Sequence, residues 1–418
     1  MKQYPLLNSK LSKVLFALFL TAMLFLSRDT LFSSCLMGFV KSQIAMLGLI
    51  VLIGVVFLWV NRKEVIQILK EPRIYVLAAS VLMMVLPMAL KQDWQLMYFS
   101  ILLCVLTAVF LTYFTTSSEV AKYYVLILTV LGLYSIFVTY CLKMPARQGL
   151  INPKVFYNST DSEFFDFGLA YVATAKYWHR NFGIFREPGV YQYFVLLAVY
   201  LNNYLVQWNR QWKLWVCNVI LAFTMLSTFA IGGFAEMGLF IAFVYFDKKW
   251  HWEKWGKIAG ITAVAAAIGA VGLFFYKMYC TPYFEKTIFF EFYDMFIRLT
   301  TKSDSSTDRW DAIVTNLRFI WESPLIGNPI AKVLHGTEHN TSSTLLLFAI
   351  LGLVGGTLNV AAWVALLWKR ERKLLGNLIL LVILLMSFNT QNLTANVFFW
   401  LFPMMALVER GLPMLRKE

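Results

Sequence analysis

The chain has 418 residues, of which 59% are hydrophobic, 17% aromatic and only 14% charged, and its mean hydropathy is +0.64. These values exclude an ordinary soluble globular protein and indicate an integral membrane protein, because a helix that crosses a bilayer takes about 20 mostly apolar residues. The net charge of +14 does not indicate nucleic acid as a partner, since the basic residues lie in short stretches between apolar runs.

Apolar runs interrupted by charged or turn residues predict about twelve membrane-spanning helices. In the first half of the chain the predicted spans cover residues 13–27, 43–60, 74–90, 94–114, 122–142 and 188–207. In the second half they cover residues 213–230, 234–247, 257–276, 342–368, 374–388 and 393–409, and the seventh and eighth spans meet at Gly232 and Gly233. The predicted fold class is therefore an all-α polytopic membrane protein, with a single membrane domain over residues 1–418.

The distribution of lysine and arginine predicts how these spans are oriented. Basic residues gather on the side that holds both termini and only short connections, and that side is expected to be cytoplasmic. Two long segments, 143–187 and 277–341, then face outward as extracytoplasmic loops. Both are too long for plain connections, so we expect function to reside in them.

The sequence gives no sign of a cofactor. It contains neither a GxxxxGK[ST] nor a GxGxxG motif, so nucleotide-driven transport is not expected. The five cysteines have neither CxxC nor metal-type spacing. We therefore predict no cofactor and no metal.

The first long segment ends in Arg186 and Glu187, directly before the sixth predicted span. An arginine fork at the membrane surface is suited to bind a phosphate or pyrophosphate, and Glu187 is placed to orient that fork or to act as a base. The alternative is an ordinary ion pair at the start of a helix, with Pro188 at the favoured first position.

The second long segment is predicted to contain an amphipathic helix after a cap at Ser306 or Thr307. Its apolar face contains Trp310, Ile313, Val314, Leu317, Ile320 and Trp321. A helix of this kind lies on the outer membrane interface or simply covers the bundle.

Histidines near the end of the second segment are further candidates. His339, with Glu338 beside it, precedes the tenth span and can take a proton from a sugar hydroxyl. His335 and His339 are four residues apart, a spacing that also suits a metal on a helix, but the third ligand of a catalytic zinc is missing. A plain surface histidine is the competing interpretation. Glu236 is the one acid placed within a span, and its role stays open.

Several of these motifs resemble those of the bacterial O-antigen polymerase and ligase superfamily, which handles polyprenyl-linked glycans at the outer face of the cytoplasmic membrane. The segment Asn181–Gly189 (NFGIFREPG) carries the resemblance most clearly. In the family's order there follow Leu226-Ser227-Thr228 before a glycine turn, Arg309-Trp310, Pro324 with Gly327, and His339-Asn340 before Leu345. One departure is the turn at Phe229–Gly233, where many members have an arginine.

The resemblance implies a GT-C-like fold in the bacterial inner membrane and a function as a glycosyltransferase. That enzyme would polymerise undecaprenyl-pyrophosphate-linked repeat units into O-antigen, capsular or exopolysaccharide. By position it makes Arg186 the pyrophosphate ligand and His339 the base, with Glu187 as its partner or an alternative base. Arg180, Arg309 and Asn340 are further substrate contacts. The implied partners are lipid-linked glycans, membrane lipids, a chain-length regulator and a flippase.

Two other functions compete with polymerisation. An O-antigen ligase, which moves finished polymer onto lipid A core, shares the donor and the motifs. A lipid-linked oligosaccharide flippase would have a similar number of spans, but it needs polar residues along a central cavity. Because the predicted spans are nearly free of charge and polar residues gather in the long segments, the sequence favours chemistry at the outer face.

Overall fold

The computed structural model describes residues 10–158, 161–174, 179–246, 304–336, 340–369, 372 and 374–415. Most of them are helical. The first ten helices are α1 Lys10–Leu26, α2 Phe39–Val60, α3 Val65–Leu69, α4 Arg73–Lys91, α5 Leu96–Leu111, α6 Ser117–Phe137, α7 Lys143–Arg147, α8 Pro188–Tyr204, α9 Gln211–Ser227 and α10 Ile231–Phe246. The remaining helices are α11 Asp304–Glu322, α12 Ile330–His335, α13 Thr344–Leu367, α14 Leu374–Thr390 and α15 Val397–Leu415.

The helices fall where the apolar runs predict them. Among the described residues, four stretches are long and apolar enough to cross a membrane: Phe39–Val60, Arg73–Lys91, Ser117–Arg147 and Thr344–Leu367. Shorter apolar helices occupy Leu11–Leu26, Leu96–Leu111, Gly232–Ile241 and Leu374–Phe388. The predicted span 257–276 lies outside the described residues. A mostly helical membrane protein is thus confirmed, while the count of twelve spans stays a prediction.

The turn between α9 and α10 differs from its prediction. The chain reverses at Thr228–Ala230, where Phe229 has a left-handed φ of 46°, and Gly232 and Gly233 lie inside α10. Gly233 serves close packing instead, because a Cβ there would lie 2.6 Å from Oε1 of Gln192. The glycine pair therefore marks a helix contact, and the prediction that it forms the turn was wrong.

Contacts between connections divide the bundle into two ends. At one end, Asn181 donates its backbone N–H to the carbonyl of Ser227 at 2.9 Å. We call this the long-loop end, since segment 143–187 belongs to it. At the other end, Ser118 Oγ donates to the carbonyl of Leu205 at 2.8 Å. We call this the short-turn end. The alternation agrees with the predicted topology, in which the long-loop end faces outward.

Segment 143–187 is more ordered than a plain loop. It begins with α7 and continues into a three-stranded antiparallel sheet in the order β1-β2-β3, formed by Lys154–Tyr157, Glu163–Asp166 and Tyr171–Ala173. Phe156 pairs with Phe164 across the first ladder, and their rings stack with centroids 5.6 Å apart. Aromatic and β-branched residues suit such a pleated, half-buried surface. The small sheet is an exception within an otherwise helical fold.

Helix α13 is broken rather than continuous. Gly352 has φ 63° and ψ −165°, and a Cβ there would lie 2.2 Å from the carbonyl oxygen of Leu325. The connection between α11 and α12 therefore packs into the break. Lys91 donates to the freed carbonyl of Ile350, to the carbonyl of Asn328 at 3.3 Å and to the hydroxyl of Tyr98 at 2.9 Å. A lysine from α4 thus satisfies backbone groups that the break exposes.

The predicted amphipathic helix is confirmed as α11, although it begins at Asp304, before the predicted cap. Its apolar residues do not share one face. Ala312, Asn316 and Phe319 are buried, and α11 packs against α13. Trp310, Val314, Leu317 and Trp321 form an exposed stripe on the other side. The helix therefore covers the bundle with a different face from the predicted one. The predicted tryptophan-bearing face is mostly exposed, and its contact with a membrane interface stays a prediction.

Candidate functional site

The long-loop end brings together two chain segments that are far apart in sequence. Leu31 donates its backbone N–H to the carbonyl of Ile184 at 2.9 Å, and Arg186 donates its own to the carbonyl of Asp29 at 3.0 Å. Thr30 and Phe185 form an antiparallel bridge between these bonds. The turn after α1 is thereby fixed against the segment that leads into α8.

Local sequence explains why this second segment is extended until it reaches α8. Glu187 has φ −144° and ψ 147°, as expected of a residue that precedes a proline. Pro188 then begins α8, where its missing N–H costs no hydrogen bond. The backbone conformation therefore holds Arg186 and Glu187 at the long-loop end of the bundle, directly before α8.

Asp29 is the acidic centre of the site. Its side chain is 1% exposed, and Oδ1 lies 3.5 Å from Nη2 of Arg186. Its Oδ2 accepts a hydrogen bond from Nδ2 of Asn396 at 2.8 Å. Because a buried carboxylate needs such partners, Asp29 ties α15 to the segment before α8. Arg186 itself keeps 37% of its side chain exposed, so part of its fork faces outward.

Arg28 adds a second guanidinium. It stacks over the ring of Phe39, with 5.2 Å between Cζ and the ring centroid. Desolvation lowers the pKa of Arg28, Asp29 raises it, and the like charge of Arg186 lowers it further. Arginine nevertheless stays protonated in proteins. We call Arg28, Asp29 and Arg186 the arginine cluster: two cations share one buried carboxylate, an arrangement that attracts a further anion.

Glu187 lies beside the arginine cluster and is exposed. Its Oε2 accepts a hydrogen bond from Nε2 of Gln391 at 3.3 Å. Gln391 is fixed in turn, because Ser343 Oγ donates to its carbonyl at 2.6 Å. Ser343 precedes α13, and it follows His339 by four positions in the sequence. The start of α13 therefore reaches the site through a chain of two hydrogen bonds.

His339 and Glu338 lie outside the described residues, so the predicted base has no described position. Asn340, which follows His339, forms a reciprocal amide pair with the buried Asn316 of α11. The two hydrogen bonds between their side chains measure 3.1 and 2.9 Å. These described contacts anchor the loop to α11, and the predicted contact of Asn340 with substrate stays a prediction. His335, at the end of α12, is exposed.

Arg180 lies at the turn between α9 and α10, where its Nε donates to the carbonyl of Thr228 at 3.3 Å. The next residue, Asn181, is fully buried and donates from Nδ2 to Oγ of Ser135 and of Ser227, both at 2.9 Å. This network fastens the segment before α8 over the α9–α10 turn. Arg180 and Arg186 therefore approach the same end of α8 from different sides.

A second group of polar side chains lies about one helical turn into the bundle from the start of α8. Glu236 of α10 is 0% exposed, and its Oε2 accepts a hydrogen bond from Nε2 of Gln192 on α8 at 3.3 Å. Ser387 of α14 and the charge of Arg309 on α11 also act on this carboxylate. The other oxygen, Oε1, has no hydrogen-bond partner among the described residues. Arg309 of α11 is partly buried.

A small apolar cavity of about 50 Å³ lies within the bundle. It runs between α8, α10, α13 and α14, and its wall includes Tyr193, Trp363, Ser387 and Phe388. Tyr193 lies near the start of α8 and Ser387 near the end of α14, and both belong to the wall. The side of the cavity toward the long-loop end therefore has hydroxyl groups, and most of the remaining wall is apolar.

No family model, curated protein or solved structure matches this chain.

Sequence reasoning missed Arg28, Asp29, Gln391 and Asn396. The signal for the first two was present: Arg28 and Asp29 directly follow an apolar run, as Arg186 and Glu187 directly precede one. A search for ionisable pairs at span ends on the long-loop side would have found both pairs. Gln391 and Asn396 are uncharged residues between two helices and carry no comparable signal.

Proposed function

We propose that this chain is a polysaccharide repeat-unit polymerase. It transfers a growing glycan from undecaprenyl pyrophosphate to a lipid-linked acceptor unit, at the outer face of a bacterial cytoplasmic membrane. One observation carries the proposal: at the long-loop end, two guanidinium groups share one buried carboxylate, while an apolar cavity lies within the bundle between α8 and α14. An amphiphile with an anionic head and a long hydrocarbon tail matches both halves of that arrangement.

The proposed chemistry divides into holding a leaving group and activating a hydroxyl. Arg186 and Arg28 bind the pyrophosphate, and Asp29 keeps Arg186 in position. Arg180 and Arg309 are the proposed further anion contacts. Arg180 donates to the carbonyl of Thr228, at the turn where many members of the resembling family have an arginine. The positive charge stabilises the pyrophosphate as the bond to the anomeric carbon breaks.

The acceptor hydroxyl attacks that anomeric carbon and gives its proton to a base. His339 is the proposed base, with Asn340 beside it, and Glu187 is the alternative. The oxygen of the acceptor forms the new glycosidic bond while undecaprenyl pyrophosphate leaves. No nucleotide sugar is required, because the donor already has an activated anomeric carbon. A chain-length regulator and a flippase are the proposed protein partners.

The test uses purified full-length protein in detergent with synthetic undecaprenyl-pyrophosphate repeat units, and products are read on a gel. The wild type is expected to produce a ladder. Arg186→Ala and His339→Ala are expected to produce none while they elute as folded protein in size-exclusion chromatography. Arg318→Ala is the matched control, because its arginine is 79% exposed on α11 and is expected to leave the ladder intact.

Other results would replace the proposal. If units are consumed only when lipid A core is added, the protein is the ligase. If the wild type turns over neither substrate, the polymerase is excluded, and transport of labelled lipid-linked units in vesicles becomes the next assay.

A further inference from the structure

A second cavity lies at the short-turn end of the bundle. Its volume is about 130 Å³, and its wall includes Tyr200, Tyr204, Lys369, Glu409 and Arg410. Helix α8 has 17 residues and separates this end from the arginine cluster by about 25 Å at 1.5 Å per residue. We call it the Tyr204 cavity, and it takes no part in the proposed polymerisation.

The acid in the wall is already engaged by the protein. Glu409 accepts hydrogen bonds from the backbone N–H of Ser117 at 2.7 Å and from its Oγ at 2.5 Å. Ser117 is the first residue of α6, where the helix dipole favours a carboxylate. Because the helix N-terminus compensates Glu409, the other charged side chains of the wall, Lys369 and Arg410, give the cavity a positive character.

The protein holds these two cations in place, and Lys369 donates from Nζ to the carbonyl of Tyr204 at 3.5 Å. Arg410 donates from Nη1 to the carbonyl of Trp368 at 2.7 Å, which is one of the five N–H groups of a guanidinium. Lys369 lies over the ring of Tyr204, with 5.9 Å between Nζ and the ring centroid. Arg372 stacks on the same ring at 5.2 Å and adds a third cation nearby.

The wall also includes a surface that suits hydrocarbon. Tyr200 lines both the Tyr204 cavity and the apolar cavity, and its hydroxyl donates to the carbonyl of Leu366 at 3.2 Å. The ring of Tyr200 therefore forms an apolar partition between the two spaces. A ligand with a phosphate at the cations and a chain beside this ring would match the cavity along its length.

We propose that the Tyr204 cavity binds a phosphate group, with Lys369 and Arg410 as its ligands. A membrane phospholipid and free inorganic phosphate both supply this chemistry, and the experiment separates them. The proposal is independent of the polymerase activity, since it concerns the opposite end of the bundle.

The experiment measures ligand-induced thermal stabilisation and native mass spectra of the delipidated full-length protein. The probes are phosphatidylglycerol, a diacylglycerol with the same chains, and inorganic phosphate. Phosphatidylglycerol is expected to bind and diacylglycerol is not. The double variant Lys369→Gln/Arg410→Gln is expected to bind phosphatidylglycerol at least about tenfold more weakly, because charge-assisted hydrogen bonds are lost. Stabilisation by inorganic phosphate with the same dependence on both residues would support the site and identify the free anion as its source.

Lys213→Gln is the matched control, because it removes an exposed lysine from the same end without touching the cavity. Lys369→Arg keeps a cation and is expected to retain binding, so a variant that merely unfolds can be recognised. Equal binding of diacylglycerol and phosphatidylglycerol overturns the proposal. So does undiminished binding by a folded double variant.

Discussion

Two arginines form ion pairs at opposite ends of the bundle. They differ in how much of each side chain is buried and bonded within the protein. At the short-turn end, Arg73 is 0% exposed, its Nε lies 3.1 Å from Oε2 of Glu71, and its Nη1 donates to the carbonyl of Thr112 at 2.5 Å. At the long-loop end, Arg186 is 37% exposed and lies 3.5 Å from Asp29. Arg73 and Arg186 carry the same charge. The exposure of the guanidinium therefore distinguishes a structural arginine from one that can bind a ligand.

The largest effect is expected from Arg73. Arg73→Met leaves the carboxylate of Glu71 buried without its cation, and breaking a buried pair in this way costs about 3–5 kcal/mol. Arg186→Met is expected to cost far less, since Arg186 is partly exposed and Asp29 keeps Asn396 as a partner. Thermal unfolding in detergent would compare the two variants at equal protein concentration. Equal losses of Tm would contradict the distinction between the two sites.

The next effect concerns Asp29, which the proposed function makes a positioning residue. Asp29→Asn keeps the shape of the side chain and an oxygen for Asn396, but it removes the charge that holds Arg186. The KM for the lipid-linked donor is expected to rise about tenfold, equivalent to about 1.4 kcal/mol, with a smaller change in kcat. Steady-state kinetics with a synthetic donor would measure both constants.

Asp311→Asn is the control for this substitution, because Asp311 is exposed on α11 and outside the site. A structural role alone would lower the amount of folded enzyme and leave KM unchanged. That result would remove Asp29 from the binding site while leaving the polymerase proposal intact.

How much the sequence predicts depends on whether a feature is local. The helices follow from continuous apolar runs, and the position of Arg186 before α8 follows from Pro188 next to it. The pairing of Asp29 with Arg186 joins segments that are more than 150 positions apart. No periodicity within either segment encodes that contact, so sequence reasoning found one arginine of the cluster and missed the other.

The break in α13 and the small sheet illustrate the same limit. Residues around Gly352 are apolar on both sides, so hydropathy predicts one continuous helix there. The break exists because Leu325 and its neighbours pack into it, which is a tertiary contact. The strands β1–β3 have only three or four residues each, too few for a clear alternating pattern.

A smaller effect is expected from the amide pair of Asn316 and Asn340. Asn340→Ala leaves the buried amide of Asn316 without this partner and is expected to cost about 1–3 kcal/mol. Asn316→Ala is expected to cost less, because Asn340 is partly exposed and still accepts from the N–H of Ser342, and the double variant should cost less than the sum. Thermal unfolding of the two single variants and the double variant gives the coupling. Polymer formation by the same variants distinguishes two roles of Asn340. Equal loss of polymer in both single variants indicates that the pair anchors the loop. A loss confined to Asn340→Ala indicates a direct contact with substrate.

The smallest effect is expected from an exposed ion pair, Glu322 with Lys332, where Nζ lies 2.6 Å from Oε2. The hydrogen bond from Lys332, with help from Arg318, lowers the pKa of Glu322 below its ordinary 4.5. A lowered folded-state pKa means that the pair contributes stability above pH 4.5 and loses it as the pH falls through the folded pKa. Because both side chains are solvated, the contribution is slight and screened by salt.

The thermal stability of Lys332→Met would test this sign against the wild type at low ionic strength. The variant should melt slightly below the wild type at pH 7, and the difference should become smaller at a pH well below the folded pKa of Glu322. A difference that persists in acid would have another origin. Lys332 also lies over the ring of Phe319, with 5.6 Å between Nζ and the centroid, and this cation–π contact does not depend on the charge of Glu322. The pH dependence therefore separates the two contributions of one lysine.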